Sequence, residues 1–135
     1  EGESAPSGIG RAGLDGAAPA LDGRTIENLR CLTPAGPALL ANLFGLYRLN
    51  VPRQLGELDA ALSRDDVQTQ RRIVHALKSS SANIGALRLA ELCRGAEECM
   101  RENESALPAS AIDAIAKEHE RVDRAIERLL QEAIQ

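Results

Sequence analysis

Residues 71–85 read RRIVHALKSSSANIG and predict an amphipathic α-helix. An α-helix turns about 100° per residue, so side chains three and four positions apart share a face. One face of this stretch collects small and apolar side chains, namely Ile73, Leu77, Ser80 and Ile84, with Ala76 at its edge. His75 falls on the opposite face, together with Arg71 and Lys78. We therefore expect a helix that buries one side and presents a histidine to solvent.

A solvent-facing histidine beside a lysine suits phosphoryl transfer. A neutral imidazole has one ring nitrogen with a free lone pair, which can act as a nucleophile. A phosphoryl group on that ring adds about two negative charges, which a nearby cation stabilises. Lys78 lies one turn after His75, and the chain has one other lysine, Lys117. The pair therefore makes His75 a candidate phosphoacceptor.

The run from His75 to Ala86, HALKSSSANIGA, closely resembles the motif of histidine-containing phosphotransfer domains. That motif has a histidine, a lysine three residues on, a small residue next and a glycine ten residues after the histidine. Ser79 replaces the glycine often found at the small position, and Gly85 occupies the last position. The resemblance extends from about Leu21 to the C-terminus.

The resemblance implies a phosphorelay intermediate. His75 would accept a phosphoryl group from the aspartyl phosphate of a receiver domain and pass it to a response regulator. Lys78 would stabilise the phosphoryl oxygens, and Gly85 would have a structural role as a helix terminator. Neither a phosphate-binding glycine-rich loop nor a carboxylate cluster for Mg²⁺ occurs in the sequence. We therefore expect a phosphocarrier that is not itself an enzyme and has no cofactor or metal site, with Mg²⁺ supplied by the receiver domain.

The expected docking surface surrounds His75 with small and polar side chains, ringed by an apolar patch from neighbouring helices. Its members on the same helix are Gln68, Arg71, Ser79 and Ala82. On the next predicted helix, Glu97 and Arg101 fall at offsets where the family often has polar residues that orient the site. Glu97 departs from the more usual glutamine-like side chain, and its charge opposes a phosphate unless Lys78 or Arg101 pairs with it. The favoured interpretation of Glu97 and Arg101 is a surface pair one turn apart.

Composition bounds the class of protein. The 135 residues carry a net charge of −4, and aromatic residues make up 1% of the chain, so neither a basic patch nor a stacking platform for nucleic acid is expected. The three cysteines lie at no zinc-like spacing and are interpreted as reduced thiols. No apolar run is long enough to span a membrane. We expect a cytoplasmic domain with no membrane contact of its own, tethered to a membrane sensor if the N-terminal linker connects to one.

Periodicity and turn signals predict five helices after a flexible linker or tail at residues 1–20. The predicted helical boundaries are residues 22–32, 36–62, 63–85, 88–103 and 108 to near the C-terminus. Asp22 caps the first helix, Pro52 kinks the second, and Ser63 with Asp66 forms a capping box for the third. Pro108 occupies the first turn of the last helix.

These helices predict an all-α fold, with residues 21–135 forming an antiparallel up-down four-helix bundle preceded by a short extra helix. His119 falls in the apolar seam of the last helix, where a buried or half-buried neutral imidazole with one hydrogen bond is expected.

Three other functions were weighed. A dimerisation and phosphoacceptor domain of a sensor kinase is disfavoured, because Ala76 follows His75 where an acidic residue is usual. A phosphoacceptor domain phosphorylated directly by a kinase catalytic domain stays open, as does a helical adaptor that does not transfer phosphate. The linker before the bundle favours a C-terminal module of a bacterial hybrid sensor kinase.

Overall fold

Five α-helices make up the part of the chain that the computed structural model describes, which is residues 19–134, with side chains described to residue 132. The helices are α1 (Gly23–Arg30), α2 (Gly36–Ser63), α3 (Val67–Asn83), α4 (Leu87–Asn103) and α5 (Ala109–Ile134). No strand occurs among these residues. The prediction for residues 1–20 falls almost entirely outside the described range.

The four long helices form a bundle, which confirms the predicted fold class. α3 packs against α2 and α4, and α5 packs against the same two helices on the other side. α1 packs against α2 and covers one end. The core between them is aliphatic apart from one phenylalanine and one tyrosine. Its largest fully buried apolar members are Phe44, Leu58, Leu77, Leu89, Met100, Ile115 and Ile126.

Two aspartates start helices by accepting hydrogen bonds from the first turn. Asp22 accepts from the backbone nitrogen of Thr25 at 3.0 Å, and Asp66 accepts from that of Thr69 at 3.1 Å. The predicted capping box at Ser63 was wrong, because Ser63 is the last residue of α2. The chain turns at Asp65, which has a φ of 55°, and the next carboxylate then caps α3.

Prolines mark α2 and α5 in different ways. Pro52 lies inside α2, which continues as one helix to Ser63, as predicted. Pro52 is exposed, so its ring faces solvent. Pro108 was expected in the first turn of α5 but lies immediately before it, and its carbonyl accepts from the backbone nitrogens of Ala111 and Ile112.

The buried face of α3 is wider than its apolar spacing indicated. Ser80, predicted to face the core, is half-buried, whereas Val74, Ser81 and Gln70 are fully buried. The reason is that α3 packs between α2 and α4, so the sector it buries is broadened toward both neighbours.

Gln70 joins the last turn of α2 to the α4–α5 connection. Its side-chain nitrogen donates to the carbonyl of Ala61 at 3.3 Å, and its side-chain oxygen accepts from the backbone nitrogen of Leu107 at 3.0 Å. A buried backbone group without a partner is costly, so this amide gives the backbone nitrogen of Leu107 its hydrogen bond. The Ala61 carbonyl also accepts from the backbone nitrogen of Asp66. The bond to Leu107 ties the α4–α5 connection to α3.

Gly85 closes α3 with a φ of +82°, a conformation that side chains disfavour. Its carbonyl accepts from the backbone nitrogen of Asp22 at 2.7 Å. A Cβ at this position would lie 2.9 Å from the Cβ of Thr25. Glycine is therefore required both by the turn and by the close approach of α1.

Candidate phosphoacceptor site

His75 lies in the middle of α3 on the face turned away from the core, and its side chain is 61% exposed. Val74 and Leu77, on either side of it in sequence, are both fully buried. Their burial fixes the rotation of the helix about its axis. The imidazole is therefore held at the surface by the packing of its neighbours.

The Nδ1 atom of His75 lies 2.7 Å from Oε2 of Glu97 on α4. Partial burial alone would raise the pKa of Glu97, but hydrogen bonds from Lys78 and His75 outweigh it and hold that pKa below its usual value. Glu97 is thus ionised at neutral pH, and an ionised carboxylate only accepts hydrogen bonds. Nδ1 must therefore carry the proton, which leaves the lone pair of a neutral ring on Nε2.

Lys78 completes a three-residue arrangement. Its Nζ atom lies 2.7 Å from Oε1 of Glu97, so each carboxylate oxygen binds one of the two α3 residues. The Lys78 side chain is 30% exposed and that of Glu97 is 19% exposed. An ammonium group has three donors, so Lys78 can bind Glu97 and still donate to a further anion.

The interpretation of Glu97 and Arg101 as a surface pair one turn apart was wrong. Glu97 binds across the helix pair to His75 and Lys78, because the packing of α3 against α4 places its carboxylate between them. Arg101 is exposed and has no ion pair within residues 19–134. Glu97, which replaces the glutamine-like side chain usual in the family, is thus paired with the ammonium group of Lys78.

The remaining residues of the expected docking surface are all exposed on α3: Gln68, Arg71, Ser79 and Ala82. Gln68 and Arg71 line a shallow groove with Thr69 and Arg72 at the N-terminal part of the helix. Ser79 and Ala82 lie toward its C-terminal end. The structure therefore places small or polar groups on both sides of His75 along the helix.

Two exposed leucines on α2 were not identified from the sequence. Leu46 and Leu49 on α2 are 55% and 70% exposed. Leu46 lines a groove between α2 and α3 that Ser80 and Asn83 border from the other side. Both leucines lie off the buried stripe of α2. An apolar residue at such a position is the sequence signal that could have identified them as exposed.

His119, the second histidine, is half-buried on α5, as predicted. Its Nδ1 atom lies 3.2 Å from the hydroxyl of Tyr47 on α2. Burial lowers the pKa of His119, and the carboxylates of Asp123 and Glu120 offset this only in part. The neutral ring is therefore favoured here, in a position enclosed by the bundle.

The other reactive side chains are the three cysteines. Cys31, Cys93 and Cys99 are free thiols, and burial raises the pKa of Cys93 to about 12. No group of three or more histidine, cysteine, aspartate and glutamate side chains is positioned for a metal within the described range. No helix in the same range is long and apolar enough to cross a membrane.

Comparison with known proteins agrees with this geometry. The family model of the Hpt domain matches residues 42–132. The crystal structure of histidine-containing phosphotransfer protein B from Pseudomonas aeruginosa PAO1 is similar, with 30% sequence identity and a TM-score of 0.72 over 86% of this chain and 98% of that one. No relative among curated proteins matches the chain. The chain belongs to the Hpt family, whose members carry phosphoryl groups on a histidine in phosphorelay signalling.

Proposed function

We propose that Nε2 of His75 accepts the phosphoryl group and that the donor and acceptor are receiver domains. The observation that carries the proposal is the bond from Nδ1 to Glu97, which leaves Nε2 as the unprotonated nitrogen. The ring is also the exposed member of the arrangement, so a large partner can reach it. The similar structure is named as a histidine-containing phosphotransfer protein, which supports the same assignment.

The transfer of the phosphoryl group requires no separate general acid or general base. The Nε2 lone pair attacks the phosphorus of the partner's aspartyl phosphate, an N–P bond forms, and the P–O bond to the aspartate breaks. The proton stays on Nδ1, where Glu97 stabilises the positive ring. In the return step the imidazole leaves as a neutral group, again with its proton on Nδ1. A ring held in this tautomer serves as both nucleophile and leaving group.

Lys78 stabilises the phosphoryl oxygens. Its ammonium lies one turn from His75 and is held by Glu97, so it is positioned before the phosphoryl group arrives. Because Glu97 binds His75 and Lys78 at once, it keeps the lysine ammonium close to the imidazole ring. Without Lys78 beside it, the Glu97 carboxylate would repel the incoming phosphoryl group.

The docking surface extends from the α3 residues to Arg101 on α4 and to Leu46 on α2, which lines the groove between α2 and α3. An exposed leucine beside a polar site matches the mixed character of transient signalling interfaces, which are small. Arg71 and Arg101 are exposed near His75, and they suit a partner whose own site is acidic.

The domain acts as a phosphocarrier and not as a self-sufficient enzyme. In this proposal it has no ATP site that supplies the phosphoryl group and no metal site, and the Mg²⁺ ion and the acidic pocket around the reacting aspartate belong to the receiver. The relay takes place in the cytoplasm, without nucleic acid, and the domain is tethered to a membrane only if its linker connects to a membrane sensor.

Label transfer from receiver domains tests the assignment. The chain and its His75→Gln and His119→Gln variants are incubated with candidate receivers phosphorylated on aspartate. We expect acid-labile, base-stable label on the parent and on His119→Gln, and none on His75→Gln. Label on a folded His75→Gln variant would refute the assignment. Label that only a kinase catalytic domain delivers would make this a directly phosphorylated acceptor domain.

A further inference from the structure

The arginines without a partner define two regions of the surface. Most of the cations in residues 19–134 are paired, as Arg48 is with Asp123 and Glu127. The arginines with neither an ion pair nor a hydrogen bond in this range are Arg24, Arg71, Arg72, Arg101, Arg124 and Arg128. Three of them lie on α3 or on the neighbouring α4, and Arg24 lies on α1. Two others, Arg124 and Arg128, lie on α5, which does not pack against α3.

Arg124 and Arg128 line a groove of about 370 Å³ between α5 and the segment before α1. They are one turn apart, so their guanidinium groups project from the same face of the helix. Arg121 lines the groove one turn earlier and is anchored by Glu118 at 2.9 Å. The groove is therefore cationic in a chain whose net charge is −4.

The rest of the lining is apolar with one carboxylate. Leu21, Ala125 and Leu129 form an aliphatic wall, and Glu132 lies at one end. Leu21 and Ala125 are buried, so the wall is part of the packed structure. A volume of this size lies within the range of small-molecule sites, which combine apolar walls with a few polar anchors.

The lining chemistry selects a class of ligand. Arginine binds phosphate through two parallel hydrogen bonds and stacks on planar rings. The aliphatic wall requires an organic portion, and a carboxylate accepts hydrogen bonds from sugar hydroxyls or ring amines. We propose that this groove binds a nucleoside phosphate, with its phosphates on Arg124 and Arg128 and its ring against the wall. The site is separate from His75 and does not depend on phosphotransfer there.

The test uses ADP without metal and inorganic pyrophosphate as probes, with the full 135-residue chain. Backbone amide shifts measured by NMR map the site on the parent protein without any substitution. We expect saturable shifts at residues 21 and 124–129, and ADP binding at least about tenfold tighter than pyrophosphate binding, because only ADP contacts the apolar wall. The double variant Arg124→Gln and Arg128→Gln should weaken ADP binding by about tenfold or more.

Arg72→Gln is the matched control, since Arg72 is also exposed and without a partner but lies on α3. It should leave the ADP affinity unchanged, and label transfer to His75 should be normal in the double variant. Three results would each overturn the proposal: no saturable shift at millimolar ADP, equal weakening by Arg72→Gln, or equal binding of pyrophosphate and ADP. None of them bears on the assignment of His75.

Discussion

Glu97 on α4 holds His75 on α3 through a 2.7 Å bond from Nδ1, and the same carboxylate binds Lys78 at 2.7 Å. One side chain thus sets the tautomer of the nucleophile and the position of the cation that assists it. Both effects depend on the register of two helices, so the site is built by the packing of the bundle as much as by the histidine motif.

Glu97→Gln should slow phosphoryl transfer without unfolding the bundle. A neutral amide accepts from Nδ1 less strongly than a carboxylate and does not hold Lys78 by charge, so we expect a decrease of about fivefold in rate. Glu97→Met removes both bonds and should cost roughly tenfold or more. Rapid-quench measurements with a phosphorylated receiver give the order of the rates. A Met variant as fast as the parent would contradict this role.

Lys78→Met should reduce the transfer rate by about tenfold or more, because the phosphoryl oxygens lose their positioned cation. Lys117→Met is the matched control, since it removes the chain's other lysine, which pairs with Asp113 on α5. Transfer rates and circular dichroism of both variants should show a defect in Lys78→Met alone. Equal defects would mean that net charge, and not position, is what matters.

Ser79→Arg should block docking by adding bulk one turn from His75. We expect roughly a tenfold loss in the second-order transfer rate at low receiver concentration, with unchanged thermal stability, because Ser79 is exposed. Ser105→Arg, on the exposed α4–α5 connection, adds the same side chain away from the site. If the two variants transfer equally well, the receiver does not dock over Ser79.

His119 should make the stability of the domain depend on pH. Its pKa in the folded protein lies below the usual 6.5, so between those two values the unfolded chain binds more protons than the folded chain. Stability should therefore fall as the pH falls through 6.5 toward the lower value, and then level off. Urea midpoints of the parent and of His119→Gln at pH 7.5 and 5.5 test this. A variant that loses as much stability as the parent would exclude His119 as the cause.

Gly85→Ala should destabilise the domain by about 1–3 kcal/mol, from the left-handed backbone and the contact with Thr25. Gly56→Ala is the matched control, because Gly56 lies within α2 and a Cβ there meets nothing within 4 Å. Alanine in a helix interior should stabilise by about 0.5–1 kcal/mol. Chemical denaturation of both variants should give opposite signs. Two changes of the same sign would contradict the strain assigned to Gly85.

The sequence predicted the helices and the exposed face of α3 because both follow from local periodicity. It placed His75 and Lys78 together for the same reason, since they are one turn apart. The favoured pairing of Glu97 with Arg101 was wrong. Arg101 is the neighbour of Glu97 along the helix, whereas His75 and Lys78 are its neighbours across the packing interface. Similarly, Ser63 and Asp66 were predicted to form a capping box together, and only the turn at Asp65 shows that α2 continues to Ser63 and that Asp66 caps α3.

The burial of polar side chains was the other feature that the sequence did not predict. Gln70 would be placed at the surface by residue type, and its burial depends on two backbone groups, the carbonyl of Ala61 in the last turn of α2 and the nitrogen of Leu107 in the α4–α5 connection. Leu46 and Leu49 are the converse case, since their apolar side chains are exposed. The periodicity of α2 leaves both leucines off its buried stripe, whereas the burial of Gln70 cannot be decided from hydropathy along one helix.

The most direct measurement is an NMR spectrum of the imidazole nitrogens in the domain after phosphorylation by a receiver. The account predicts phosphorus coupling at Nε2 of His75, a proton retained on Nδ1, and an unchanged ring at His119. Phosphorus on Nδ1 of His75, or on His119, would contradict the central claim that Glu97 holds His75 ready to react through Nε2.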